Sequence, residues 1–257
     1  MFQRLLFLAA VTVFITLFMC AGVVSAFHPL ITDDAGTQGK GKYLLEINGQ
    51  YGHDKDHGTI QNTTPTATTL TYGVVNSLDV AVGVPYSLIR TKDDQGTTHH
   101  DGFGDVGLSA KWRFYEKEGL NLALKPVITF PTGDKDTGLG TGRPTYSLFF
   151  ITTKELNPWA FHLNLGYIGN ENKLAQRVPL WHASLASEVE VVKKLKAVAN
   201  IGVQRNIDKT SHTDPAFLLG GLVYSITGST DIDAGYKYGL TRTEVDHTVL
   251  AGITFRF

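Results

Sequence analysis

Cysteine, charge and long apolar runs are all scarce in this chain, and each shortage closes off a class of protein. The single cysteine, Cys20, lies in an apolar leader, so the rest of the chain has neither a disulfide scaffold nor thiol chemistry. Stability then has to come from sheet hydrogen bonds and packing. Charged residues are only 18% of the chain, and setting aside Arg4 of the leader leaves 22 basic against 24 acidic residues, a formal charge of −2. Such a balance gives no electrostatic reason to expect nucleic acid or an anionic surface as partner. Beyond Val24 no run approaches the roughly 20 apolar residues of a membrane helix, and helical spacing is hard to find. If the chain spans a membrane, it does so as a closed β-barrel, the other structure that satisfies every backbone group in lipid.

The leader itself is informative. Arg4 precedes an apolar run from Leu5 to Val24, and Val24-Ser25-Ala26 supplies small residues at a cleavage site, which predicts a removed signal peptide over residues 1–26. The competing readings are an uncleaved anchor and a lipoprotein acylated at Cys20. Thr12 and Thr16 interrupt the run, and Met19 stands where a lipoprotein signal wants a small residue.

From Tyr43 onward the dominant period is two, which puts alternate side chains on opposite sheet faces. About twelve segments have the ~10-residue length of a tilted membrane strand: 43–51, 67–75, 78–89, 104–115, 120–130, 144–154, 158–168, 180–191, 195–206, 216–227, 231–240 and 247–257. Connections alternate in length. They are tight at Asn76-Ser77, Glu116 to Gly119, Leu156-Asn157, Lys193-Lys194 and Gly228 to Thr230, and long in between. Short turns on one side and long loops on the other are the pattern of outer-membrane barrels, with the short side periplasmic. The expected fold is therefore all-β: a transmembrane antiparallel up-and-down barrel over residues 43–257, with residues 27–42 either trailing into the periplasm or plugging the lumen.

Side-chain parity supports that reading. GDVGLSAKWRFY splits into Val106, Leu108, Ala110, Trp112 and Phe114 on one face and Asp105, Gly107, Ser109, Lys111 and Arg113 on the other. Pro126 is the exception, because a closed barrel has no edge to excuse a missing donor, and a bulge is expected there. Tyr43, Trp112, Phe130, Trp159, Tyr167, Trp181, Tyr238 and Phe255 fall near strand ends, as aromatic girdles require. The last strand, HTVLAGITFRF, ends on Phe257, a terminal aromatic expected to serve the outer-membrane assembly machinery as its signal.

Four segments carry a family resemblance: HPLITDDAGTQGKGKYLLEINGQY, GFGDVGLSAKWRFY, PVITFPTGDKDTGLGTG and the closing AGITFRF. Together they resemble the outer-membrane transporter family associated with the MetA pathway of phenol degradation, over essentially the whole chain after the leader. The resemblance implies a small pore admitting aromatic or other hydrophobic compounds, with no catalytic residues. Its matching positions are Asp33, Asp34, Gly104, Asp105, Lys111, Arg113, Pro131, Thr132 and Gly133.

Parity assigns the lumen wall to Glu46, Asp79, Asp105, Lys111, Arg113, Lys125, Glu188, Glu190, Lys196, Asp231, Asp233, Lys237 and Arg256, with Asp105, Lys111, Arg113 and Lys125 on facing walls of adjacent strands. Charge of both signs is expected to pair across strands and hold a narrow wet channel, constricted because about twelve strands lie between a filled and an open barrel. The loop containing Pro131, Thr132, Gly133, Asp134 and Asp136 is expected to fold partly into the pore. The Thr32-Asp33-Asp34 motif would suit a plug resting near lumen lysine or arginine, and Phe149 is a candidate solute contact. Asp134 and Asp136 lack the ligand count of a calcium loop, and His53, His57, His99, His100 and Asp101 have no fixed geometry in loops, so neither metal nor cofactor is expected. An enzyme is the rival class. His182-Ala183-Ser184 has the two-residue spacing of outer-membrane phospholipases, but both side chains point inward and no third group orients them. A structural or surface-adhesive barrel with a plugged lumen is the other alternative. The expected partners are the outer-membrane bilayer, its assembly machinery and small hydrophobic or aromatic solutes.

Overall fold

The computed structural model describes residues 28–56 and 58–257; the leader with its cleavage site, Cys20, Phe27 and His57 lie outside the described residues. Thirteen strands follow one another: β1 (Tyr43–Asp56), β2 (Thr59–Val75), β3 (Leu78–Asp93), β4 (Gly96–Phe103), β5 (Val106–Lys117), β6 (Leu120–Phe130), β7 (Thr145–Leu156), β8 (Trp159–Gly169), β9 (Pro179–Val192), β10 (Leu195–Gln204), β11 (Ala216–Ser225), β12 (Thr230–Gly239) and β13 (His247–Arg256). Each is antiparallel to its neighbour. β4 and β5 are consecutive halves of one wall strand: both pair with β3, β4 from Tyr86↔Phe103 upward and β5 from Gly83↔Gly107 downward. The barrel therefore has twelve strands. It is closed by β1 on β13, from Leu44↔Arg256 to His53↔His247, and the seam is finished by Tyr43 and Phe257, whose backbones exchange hydrogen bonds at 3.1 and 2.9 Å.

Burial is inverted relative to a water-soluble protein. Trp112 and Tyr167 are about half exposed, whereas Lys125 is 2% and Glu46 3% exposed. Apolar side chains alternate outward on strand after strand, among them Ile47, Val80, Leu108, Leu148, Leu163, Leu185, Ile201 and Leu222. This is the lipid-facing belt of a barrel with a polar interior.

Two expected long loops are instead strand. β1, β2 and β3 run on to Asp56, back from Thr59 and on to Asp93, and β4 occupies the stretch holding His99, His100 and Asp101. Between residues 52 and 66 both faces carry Thr, Asn, Gln, Asp or His. The period-two contrast vanishes there, although threonine favours extended backbone. The other four connections on this side, 131–144, 170–178, 205–215 and 240–246, are loops. The expected bulge also lies elsewhere. Pro126 stays in register with Leu148, and its ladder with β5 is interrupted between Ser109↔Val127 and Trp112↔Leu124. The register slips between Arg113 and Tyr115, leaving Phe114 and Tyr115 both exposed to the outside.

The segment from His28 to Gln38 lies inside the barrel. It circles the inner wall, meeting β12 at His28, β10 at Ile31, β9 at Thr32, β6 and β5 at Asp33, β7 at Ala35 and β3 at Gln38. It leaves at Gly39 to Gly41, where φ is +88° at Gly39 and +79° at Gly41, values that glycine adopts without a Cβ penalty.

Candidate functional site

The centre of the lumen is an ion cluster built from three elements. Lys111 on β5 and Lys125 on β6 project inward from adjacent strands, an arrangement that is repulsive alone. Asp33 of the inner segment resolves it: its Oδ1 accepts from Lys111 Nζ at 3.0 Å and its Oδ2 from Lys125 Nζ at 2.8 Å. Asp33 is 1% exposed. Lys111 also donates to the Asp34 carbonyl at 3.0 Å. Asn164 of β8, with its amide nitrogen toward the Asp33 carbonyl, donates to that oxygen at 2.9 Å and accepts from the Asp33 N–H at 2.7 Å. Burial opposes charge on the Asp34 carboxyl, but Lys111, His162, the Gly36 N–H and Lys125 outweigh it and hold the group below its ordinary range.

Neutral groups extend the attachment. Asn200 Oδ1 accepts from the backbones of Ile31 and Thr32 at 2.8 and 3.1 Å, Thr32 Oγ1 donates to Ser184 Oγ at 2.7 Å, and the Ala35 N–H donates to Thr153 at 2.8 Å. His28 Nδ1 bonds Asp233. Pro29 fits against Gly221 and Gly235, where an added Cβ would lie within 2.8 Å of the ring.

The segment separates two chambers. On the side of the short turns, a cavity of about 190 Å³ is lined by Asp33, Asp34, Glu46, Asp79, Lys111, Lys125 and Arg256. On the other side, a cavity of about 290 Å³ has Leu30, Val127, Phe149, Ile168, Phe217 and Leu250 among its lining, and Asp105, His182, Arg205, Lys237 and Glu244 line the same space. Two rings occupy space left by glycine: Phe149 lies over Gly166 and Phe217 over Gly202, with ring atoms 2.5 and 2.6 Å from where a Cβ would stand. Phe149 also meets His182 edge-on, with ring centroids 5.9 Å apart.

The residues that parity assigned to the lumen wall have different partners, Asp233 being the one bound to His28. Lys111 and Lys125 meet at Asp33, and Asp79 accepts the Gln38 N–H at 2.9 Å. Glu188 pairs with Lys196 at 3.0 Å, Asp231 with Arg256 at 2.6 Å, and Lys237 with Glu244 of the last loop at 2.6 Å; Glu46 is buried on β1. Arg113 stands nearer the rim, bonded to the Asn76 carbonyl at 3.1 Å and to Glu116 at 3.0 Å. Glu190 departs from the expectation, and Asp105 lines the outer chamber without meeting the lysines. Asp105 does not face the lysines, because it sits in the break between β4 and β5, where it accepts from Gly133 N, Thr141 N and Thr141 Oγ1 at 2.9, 2.9 and 2.7 Å. Glu190 is exposed at the short-turn rim beside the bulge that precedes Lys196.

The same clamp corrects the loop. Pro131, Thr132, Asp134 and Asp136 stay exposed and Gly133 is half-buried at the loop root, because Asp105 and the Thr132–Gly104 hydrogen bond of 2.9 Å tie that root to the wall. The residues that turn in are Leu139 to Thr141, all buried. Asp134 caps a single 3-10 turn, Lys135–Thr137. His182 Nε2 lies 2.9 Å from Ser184 Oγ, but that hydroxyl is held by Thr32 and the imidazole also bonds the neutral side chain of Gln204.

The comparisons agree with this architecture. The family described as "Putative MetA-pathway of phenol degradation" matches residues 32–257. The chain belongs to that family. Among solved structures it is similar to the COG4313 outer membrane channel from Pseudomonas putida F1, with 16% identity, a TM-score of 0.68 and coverage of 87% of this chain and 98% of that one. It is similar also to the NanC porin, with 11% identity, a TM-score of 0.57 and coverage of 82% and 98%. The translocator domain of the autotransporter NalP from Neisseria meningitidis matches at 11% identity and a TM-score of 0.53, covering 85% and 89%. No curated protein matches. Channels, porins and a translocator share the shape, so these likenesses speak to the outer-membrane barrel fold, and use has to be argued from the lumen.

Proposed function

We propose that this barrel is an outer-membrane channel for passive uptake of small hydrophobic or aromatic molecules, occluded at rest by its own N-terminal segment. The observation that carries the reading is the division of the lumen. The chamber away from the short turns has an apolar patch around Phe149 and Phe217 within a mixed lining, and its volume of about 290 Å³ is near the lower end of small-molecule pockets, roughly 300–1,000 Å³. Short turns mark the periplasmic side, so this chamber opens toward the outside and receives the solute first. Burial of a benzene-sized solute against Phe149, Ile168 and Phe217 supplies the driving force, and the polar groups left in the wall keep residence short. Onward passage requires the Asp33 attachment to give way. The export route through a cleaved leader, and recognition of Phe257 by the assembly machinery, belong to the same proposal.

No catalytic step is assigned. An imidazole paired with a neutral amide lacks the carboxylate that orients the base in a hydrolase triad, and Ser184 is held by Thr32. Proteoliposomes containing the folded chain test the proposal: alkylbenzenes or small aromatic acids are expected to enter faster than sugars of equal size. Equal rates for both classes, or no entry of either, would reject hydrophobic uptake.

A further inference from the structure

The outside of the β1–β4 ribbon gathers three cations and three imidazoles at one height. We propose that this face binds the phosphate groups of an outer-leaflet glycolipid through Lys55, Arg90 and Lys92, with the imidazoles of His53, His99 and His247 beside them. The inference rests on the outer-membrane reading.

Strand pairing places these residues together. His247 lies opposite His53, His53 opposite Asn62, Asn62 opposite Arg90 and Arg90 opposite His99, one continuous row across five strands. In the next row Lys55 lies opposite Ile60 and Ile60 opposite Lys92. Outward positions change character at this level. On β3 they read Val80, Val82, Val84, Tyr86 and Leu88 and then Arg90 and Lys92; on β1 they read Ile47, Gly49 and Tyr51 and then His53 and Lys55. A strand rising ~3.3 Å per residue and tilted by about 40° climbs about 2.5 Å per residue, so the ten steps from Leu78 to Leu88 cover the ~25 Å apolar band. Arg90 and Lys92 then stand roughly 5 and 10 Å beyond it, in the headgroup layer, where anionic lipids attract basic side chains.

The surroundings suit a lipid better than a free anion. Directly below the cations Phe103 is 64% exposed and packs edge-on against Tyr86 at 5.2 Å, a pad for acyl chains. Carboxylates lie close by: Asp101 accepts from the Tyr86 hydroxyl at 2.7 Å and Asp246 from the Lys55 N–H at 3.1 Å, and Asp56, Asp93 and Asp94 follow Lys55 and Lys92 at the strand ends. Among the described residues Lys55, Arg90 and Lys92 make no ion pair. On the opposite wall the outward ends of β7, β8 and β9 carry Tyr146, Tyr167 and Trp181 in place of cations, and the cations of that side, among them Arg143 and Lys173, lie in the loops.

The test is native mass spectrometry of the folded mature chain with bisphosphorylated lipid A, dephosphorylated lipid A or phosphatidylcholine. Retention of the phosphorylated lipid is expected to exceed that of the other two by about tenfold. A Lys55→Gln, Arg90→Gln, Lys92→Gln variant is expected to lose this preference, while Lys173→Gln with Lys209→Gln, in other loops, keeps it. Equal retention by the triple variant, or equal binding of dephosphorylated lipid, would overturn the proposal. Displacement by millimolar inorganic phosphate would reassign the strip to free anions and reject the lipid. Heat-modifiable mobility and membrane fractionation of the same chain test the outer-membrane reading separately from this binding.

Discussion

The two ends of the lumen are closed by different physics. Toward the short turns the interior is a charged enclosure in which Asp33 satisfies Lys111 and Lys125 at once, a dehydrated arrangement whose integrity depends on every member. Toward the ribbon side the rings of Phe149 and Phe217, with Ile168 and Leu250, form an apolar patch in a cavity that Asp105, Lys237 and Glu244 also line. Ion pairs and neutral hydrogen bonds fix the segment; the apolar patch around Phe149 and Phe217 faces the outer chamber. Occlusion and selectivity can therefore be altered separately.

Breaking the charged end should have the largest effect. Asp33→Ala leaves two buried lysines side by side and should cost about 3–5 kcal/mol, read as a lower midpoint for loss of the heat-modifiable form; Lys111→Met with Lys125→Met in the same chain should restore much of it. Asn164→Ala removes both hydrogen bonds to the Asp33 backbone and should cost about 1–3 kcal/mol in the same assay, without changing ion preference. At the apolar end Phe149→Ala should weaken alkylbenzene binding about tenfold, near 1.4 kcal/mol, while segment attachment stays intact; a proteolysis assay of the segment separates the two. Acid should act late on the Asp34 contact: Asp34 is held below its ordinary 3.8, so its contribution to holding the segment is complete above that value and is lost only as pH falls through the lower folded one, which release of the segment by protease at stepped pH would follow. Arg113→Ala, at the rim, should shift stability by less than about 1 kcal/mol and conductance only slightly.

The barrel was legible because its signals are repetitive. Alternation along GDVGLSAKWRFY and the succession of tight and long connections recur around the whole sheet, so a few local errors do not change the fold. Lys111 and Lys125 were legible as inward residues for the same reason. Their shared anion was harder to identify, because Asp33 is 78 and 92 residues away in a segment with no period of its own. The neutral anchors Asn164, Asn200, Ser184 and Thr153 were missed because parity places them inward without marking them as ligands of the segment; Gly221 and Gly235, small residues on facing inner positions, were the available hint. Asp105 misled because parity fixes the direction of a side chain within a strand, and Asp105 lies between two strands. The polar ribbon of β1 to β4 escaped because a strand that is wet on both faces has no hydrophobic period.

Single-channel conductance in planar bilayers, comparing the full mature chain with one lacking residues 28–38, tests the central claim most directly, provided both show heat-modifiable mobility. Occlusion by the inner segment predicts small, infrequent openings for the full chain and a conductance several-fold larger for the shortened one, on the order expected when two chambers merge. Equal conductance of the two would contradict the account, because it would mean that ions pass without regard to the segment that Asp33 holds in place.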